Sequence, residues 1–169
     1  MPMHFETFDW IAHHAARRPE KTALVDLASG RSIDYAGMDG RVGRLAGFMR
    51  DRFGIAPGDR VALLAENSSD YLEVQFACFR IGAVFVPLNW RLTVPELNYI
   101  VGDAAPKAMI HDRGFAETAA AVQAVTGFRH RLETAADGSP SEYEAAMEEG
   151  PYEAEMVPQQ MSDLSTIMY

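Results

Sequence analysis

The chain has 169 residues, of which 48% are hydrophobic and 23% charged, with 15 lysines and arginines against 24 acids and a formal net charge of −9. That length suits one domain able to bury a real core. The acidic balance argues against a general nucleic-acid binder and against docking on an anionic membrane face, since both need a basic surface. One cysteine, Cys78, cannot form an intrachain disulfide, which fits a reducing compartment and a cytoplasmic protein. The opening residues lack a signal pattern, and no apolar run is long enough to span a bilayer. The sequon Asn67-Ser68-Ser69 therefore carries no weight.

Phe5, Phe8, Ile11, Ala12 and Ala15 recur at helical spacing, and Pro19 closes that first helix. Thr22–Leu27 and Arg31–Tyr35 read as short strands joined by Ser29-Gly30, a hairpin. Residues 36–51 read as a helix with an apolar stripe of Met38, Val42, Leu45 and Met49. Ala36, Gly40, Gly43 and Gly47 form a second stripe. Because each helical glycine costs up to about 1 kcal/mol against alanine, that stripe fits either a close approach by another element or a weak helix held by tertiary packing.

A turn over Ile55–Asp59 leads into Arg60–Ala65, a nearly continuous apolar strand of the kind buried on both faces of a parallel sheet. Asn67 or Ser68 caps a helix over Asp70–Ile81 that is apolar nearly all round, which predicts a helix sandwiched within the protein. Cys78 lies in that run, so a buried structural thiol is expected. Gly82 ends the helix and Ala83–Pro87 is the next buried strand. Thr93 and Glu96 fit a capping box ahead of Leu97, Ile100 and Val101. Ala108–Ile110 is a strand, residues 114–126 a helix, and Phe128–Leu132 another strand. From Glu133 to Gln160 acids, Gly, Ser and Pro dominate, which predicts a surface excursion with one short helix near Tyr143–Met147. Asp163–Met168 reads as a last strand. The strand–helix alternation from Arg60 onward implies βαβ units and hence an α/β fold, a mostly parallel sheet flanked by helices.

The usual catalytic constellations are absent from the sequence. It holds no Gly-x-Ser-x-Gly elbow, no Gly-x-Gly-x-x-Gly and no Walker-type loop. His13 and His14 are adjacent and point different ways on a helix, and one cysteine rules out the usual zinc spacings, so no metal site is expected. His111-Asp112 falls at a strand end, where sites of parallel sheets lie, though the reading favoured is an exposed loop histidine.

Three stretches carry a family resemblance. Ile33–Ala46 (IDYAGMDGRVGRLA) resembles the first core motif of the adenylate-forming superfamily of acyl-CoA synthetases, peptide-synthetase adenylation domains and luciferases. Gly58–Ser68 (GDRVALLAENS), running on through Tyr71, is similar to its strand-and-turn segment. Phe79–Leu92 (FRIGAVFVPLNWRL), followed by Glu96-Leu97, is similar to its second core motif. Their order and spacing make the combination specific, and the fit runs from near Phe8 to Tyr169. Trp90 replaces the family's common proline, and Gly37 stands where the first motif often has Glu.

The resemblance implies an N-terminal part of the large AMP-binding domain over residues 1–169, with 133–160 as a surface excursion within it. It implies a parent enzyme that joins a small carboxylic acid to coenzyme A through an acyl-adenylate, using ATP and Mg2+. In the family a strand like Asp163–Met168 and a Tyr lead into a Thr/Ser/Gly-rich loop with a lysine that grips the ATP phosphates. No such loop lies in residues 1–169, so these residues alone are expected to bind no cofactor and catalyse nothing. Some relatives use the arginine of the Asn-x-Arg-Leu stretch on coenzyme A phosphates, which makes Arg91 the candidate cofactor contact, with a surface arginine beside the Thr93 cap as the alternative. A non-catalytic binding module and other adenylate-forming enzymes, a peptide-synthetase adenylation domain or a luciferase-like protein, remain open. Exposed apolar surface at the last strand leaves a homodimer open as well.

Overall fold

The computed structural model describes residues 7–169. Phe5 of the predicted first helix lies outside them. That helix, α1, runs over Trp10–Arg17 and starts on Asp9, whose carboxylate accepts from the Ile11 and Ala12 amides. Phe8 therefore precedes the helix and is 56% exposed. The predicted hairpin forms from β1 (Thr22–Val25) and β2 (Ser32–Asp34), which pair antiparallel.

Helix α2 (Tyr35–Phe53) buries Met38, Val42, Leu45 and Met49 as predicted. Its glycine stripe splits. At Gly47 an added Cβ would lie 2.5 Å from the Glu153 amide nitrogen, and the Ala154 amide donates to the Gly43 carbonyl, so the chain from Tyr152 to Ala154 lies directly on the helix. Gly40 meets nothing nearer than 3.9 Å.

The main sheet contains β3 (Arg60–Leu64), β4 (Val84–Pro87), β5 (Ala108–Asp112) and β6 (His130–Thr134), all parallel, in the order β4-β3-β5-β6. Between them run α3 (Ser69–Arg80), α4 (Val94–Ala104) and α5 (Ala116–Thr126), with a 3-10 turn over Arg113–Phe115. The crossover from β3 to β4 steps one way along the sheet and the next two step the other way. Right-handed crossovers then place α3 on one face and α4 and α5 on the opposite one. Side-chain alternation follows: Val61 and Leu63 enter the core under α2 and α3, while Ala62 and Leu64 enter the core under α4 and α5.

Three expectations are corrected. Helix α3 packs into the core with a mixed face: Asp70, Glu73 and Arg80 are buried beside Val74, Ala77 and Cys78, while Leu72 is 37% exposed. The segment 163–168 is no regular strand: one parallel bridge, Phe85 to Thr166, ties it to the free edge of β4. His111 is no exposed loop residue, because β5 extends through Asp112 and leaves it 2% exposed. The acid-rich segment 133–160 also contributes more to the core than its weak periodicity predicts. Its helix α6 (Glu142–Glu148) buries Tyr143, Ala146 and Met147, and Ala154 follows them in.

Candidate functional site

In an open parallel sheet, ligands bind outside the carboxyl ends of the strands, near the point where strand order reverses. Here the order reverses at β3. A crevice of about 460 Å³ opens there, lined by Ala65, Glu66 and Asn67 beyond β3, by Leu88, Asn89, Trp90 and Arg91 beyond β4, and by Tyr71, Met168 and Tyr169. A cavity of about 530 Å³ lies instead along the outer edge of β4, lined by Phe8, Trp10, Phe76, Phe79, Phe85 and Met161 among others. Among the described residues its lining has no charged side chain, so the crevice is the better candidate for a polar ligand.

The loop after β4 is organised locally. Asn89 turns the chain by accepting from the Arg91 amide through its side chain and from the Leu92 amide through its carbonyl. Glu96 then accepts from both the amide and the hydroxyl of Thr93, completing the start of α4. Between these anchors Trp90 is half-buried and stands 6.0 Å from the Phe115 ring. The Arg91 guanidinium lies over the Trp90 indole, 4.3 Å from its centroid. Arg91 is exposed and has no carboxylate partner among the described residues, so its donors face the crevice mouth unspent. Tyr169 donates to Asp103 at 2.6 Å, which fixes the other wall to α4.

His111 stays outside the crevice lining. Its Nδ1 is 3.1 Å from the Asp112 carbonyl oxygen, and burial lowers its pKa, so it is neutral at pH 7. Asp112 works as a clamp: one carboxylate oxygen accepts from Gly114 and the other from Ala136. Among the described residues no group of three or more His, Cys, Asp or Glu is placed to hold a metal ion, and no magnesium ligand is assigned here.

Behind the crevice, α3 carries a buried polar face that sequence reading missed. Asp70, Glu73 and Arg80 recur with Ala77 at helical spacing, and that spacing of charges was the available signal. Glu73 accepts from Arg41 at 2.6 Å and from the Tyr143 hydroxyl at 2.6 Å. Arg41 also reaches both oxygens of Glu144. Arg80 pairs with Asp9 at 2.6 Å and with Asp39. Asp26 accepts from the amides of Ala28, Ser29 and Ser69, tying the hairpin turn to the start of α3. Burial raises the Asp26 pKa, but those amides outweigh it and hold the carboxyl at about 2.

The family model described as AMP-binding enzyme matches residues 11–169. The feruloyl-CoA synthase of Amycolatopsis sp is 45% identical over 115 residues, which is 68% of this chain and 23% of that protein. The long-chain-fatty-acid–CoA ligase FadD13 of Mycobacterium tuberculosis is 33% identical over 114 residues, 68% of this chain and 22% of that protein. The crystal structure of the N-terminal domain of FACL13 from Mycobacterium tuberculosis superposes with a TM-score of 0.83 at 28% identity, covering 94% of this chain and 40% of that one. The matches to these curated relatives thus span less than a quarter of their length.

Proposed function

The chain belongs to the AMP-binding enzyme family, and from that premise we propose that its parent protein is an acyl-CoA synthetase acting on a small carboxylic acid. In the proposed first step a carboxylate oxygen attacks the α-phosphorus of ATP and pyrophosphate leaves, giving an acyl-adenylate. The coenzyme A thiolate then attacks the acyl carbon and AMP leaves. Magnesium, when bound, supplies charge neutralisation on the phosphates during the first step.

The part assigned to this chain is coenzyme A binding. The observation that carries it is Arg91, stacked on Trp90 at the crevice mouth with no carboxylate partner among the described residues. Such a fork matches phosphate oxygens in pairs. Adenylation is assigned to groups outside residues 1–169. The sequence has two lysines, Lys21 and Lys107, and neither sits in a Thr/Ser/Gly-rich loop. Lys107 is already bound to Asp59 at 2.8 Å. The relatives are named for acids as different as ferulate and long-chain fatty acids, so the acid is given only as a class.

The test uses the parent protein with a panel of aromatic and aliphatic acids. Acid-dependent exchange of pyrophosphate into ATP is expected, followed by AMP release that requires coenzyme A. No exchange with any acid of the panel overturns the adenylate reading. Exchange without coenzyme A-dependent AMP release reassigns the acceptor thiol.

A further inference from the structure

Three carboxylates and two arginines meet where the hairpin turn, α2, α3 and α6 come together. Asp70 and Glu73 come from α3, Glu144 from α6, Arg41 from α2 and Arg31 from the hairpin turn. Asp70 is 2% exposed and Glu73 is fully buried. Two further charges stand beside the cluster and cancel each other: Asp26, bound at the Ser69 amide, and the exposed Arg44, whose charge acts on Glu144. Tyr143 is neutral at neutral pH, since burial and then the Glu73 charge push its pKa up. The cluster therefore carries one negative charge in excess when every carboxyl is ionised.

The hydrogen bonds show where that excess sits. Glu73 has a donor on each oxygen, Arg41 on one and Tyr143 on the other. Glu144 takes Arg41 on both oxygens, with Arg31 3.5 Å away. Asp70 receives Arg31 at 2.8 Å and the Ser69 hydroxyl at 3.5 Å on the same oxygen, Oδ1. Among the described residues no hydrogen bond reaches its Oδ2. Buried like charges that share too few counter-charges favour binding a proton at the least satisfied member.

We propose that this cluster is a proton-linked latch, in which Asp70 takes up one proton as the solution is acidified, Arg31 passes to Glu144 on α6, and the fold as a whole is stabilised. Protonation leaves two negative and two positive groups and frees Arg31 to move from Asp70 toward Glu144. Burial, helped by the charge of Glu73 and opposed by Arg31 and Arg41, pushes the Asp70 carboxyl up to about 6. A carboxyl raised above its unfolded value adds stability below the unfolded pKa and loses it as pH rises through the folded one. Asp70 therefore strengthens the fold between neutral pH and pH 4, the opposite of an ordinary paired aspartate. The latch adjoins the crevice, because Ser68 caps α3 and Glu66 and Asn67 precede it.

The experiment is urea unfolding of the 169-residue chain and its Asp70→Asn variant at pH 7.5 and 5.0, with carboxyl carbon NMR titration of the wild type. The wild-type folding constant is expected to rise about tenfold more than that of D70N between the two pH values, and the Asp70 carboxyl to titrate near pH 6. Equal pH dependence in the two proteins overturns the latch. If D70N does not fold, the titration alone decides: an Asp70 midpoint below pH 4.5 overturns the proposal and a midpoint near 6 supports it.

Discussion

Tyr143 donates its hydroxyl to Glu73 at 2.6 Å, a buried bond between residues 70 apart in the sequence. It joins α6 to α3 through a tyrosine that is fully buried. Removing the hydroxyl leaves one Glu73 oxygen in the interior without a donor. Tyr143→Phe should therefore cost roughly 1–3 kcal/mol, read as a lower urea midpoint with unchanged slope. Tyr99→Phe serves as the control, since Tyr99 is 75% exposed, and should leave the midpoint alone. Equal midpoints in all three proteins would show that the bond contributes nothing net.

Gly47 and Gly40 lie on the same stripe of α2 and should respond oppositely to alanine. At Gly47 the new methyl meets the backbone of Glu153 and Tyr152, which has no flexible end to swing aside. Gly47→Ala should destabilise by about 1–3 kcal/mol. At Gly40 the nearest atoms belong to the Arg44 side chain at 3.9 Å. Gly40→Ala should be neutral or stabilise by up to about 1 kcal/mol through helix propensity. Thermal unfolding of the two variants checks the pair, and a stable G47A would remove close approach as the reason for glycine there.

Local chemistry explains what could be read in advance. The Thr93–Glu96 box, the Ser68 cap and the four strands of the parallel sheet each depend on residues a few positions apart, and each forms. The Asn-x-Arg-Leu stretch marks Arg91, and its guanidinium lies over the Trp90 ring. What escaped reading depends on distant partners. Arg41 and Glu144 are 103 residues apart, and nothing local marks them as a pair. His111 looked like a loop residue because Ala108–Ile110 is the apolar part of β5, while pairing with β6 carries the strand on to Asp112. Segment 163–168 has the composition of a strand but finds only the edge of β4, and one bridge forms.

Asp26 should govern part of the acid limb of stability. Its folded carboxyl is held at about 2, below its ordinary 3.8, by the amides that bind it. A lowered carboxyl gives stability above its unfolded pKa and loses it as pH falls through the folded value. The contribution is about 2 kcal/mol at neutral pH, lost between pH 4 and 2. Asp26→Asn should lower stability at pH 7 and flatten the fall below pH 4. Parallel acid limbs for the two proteins would contradict this account.

Cys78 should be silent in the folded protein. It is fully buried in α3, and burial pushes its thiol pKa well up, so neither access nor thiolate favours reaction. A thiol-specific disulfide reagent at pH 8 should label it only as fast as the chain unfolds, and rapidly in denaturant. Fast labelling under native conditions would place the thiol outside the core.

Arg91 offers the sharpest check of the proposed coenzyme A site. Its guanidinium combines three properties: a fixed charge, a planar donor fork and a face that rests on Trp90. Arg91→Lys keeps the charge and loses the fork and the stacking. Arg91→Ala loses all three. Charge-assisted hydrogen bonds are worth about 1.5–3 kcal/mol, so in the parent protein Arg91→Ala should raise the KM for coenzyme A by about ten- to a hundredfold. Arg91→Lys should fall between the two. Pyrophosphate exchange precedes the thiol step and should keep its wild-type rate in both variants, because Arg91 is assigned no contact with ATP. A loss of exchange equal to the loss of thioester formation would mean that the residue supports the fold or the adenylation site instead. An unchanged KM for coenzyme A would return Arg91 to the role of a surface residue beside the Thr93 cap.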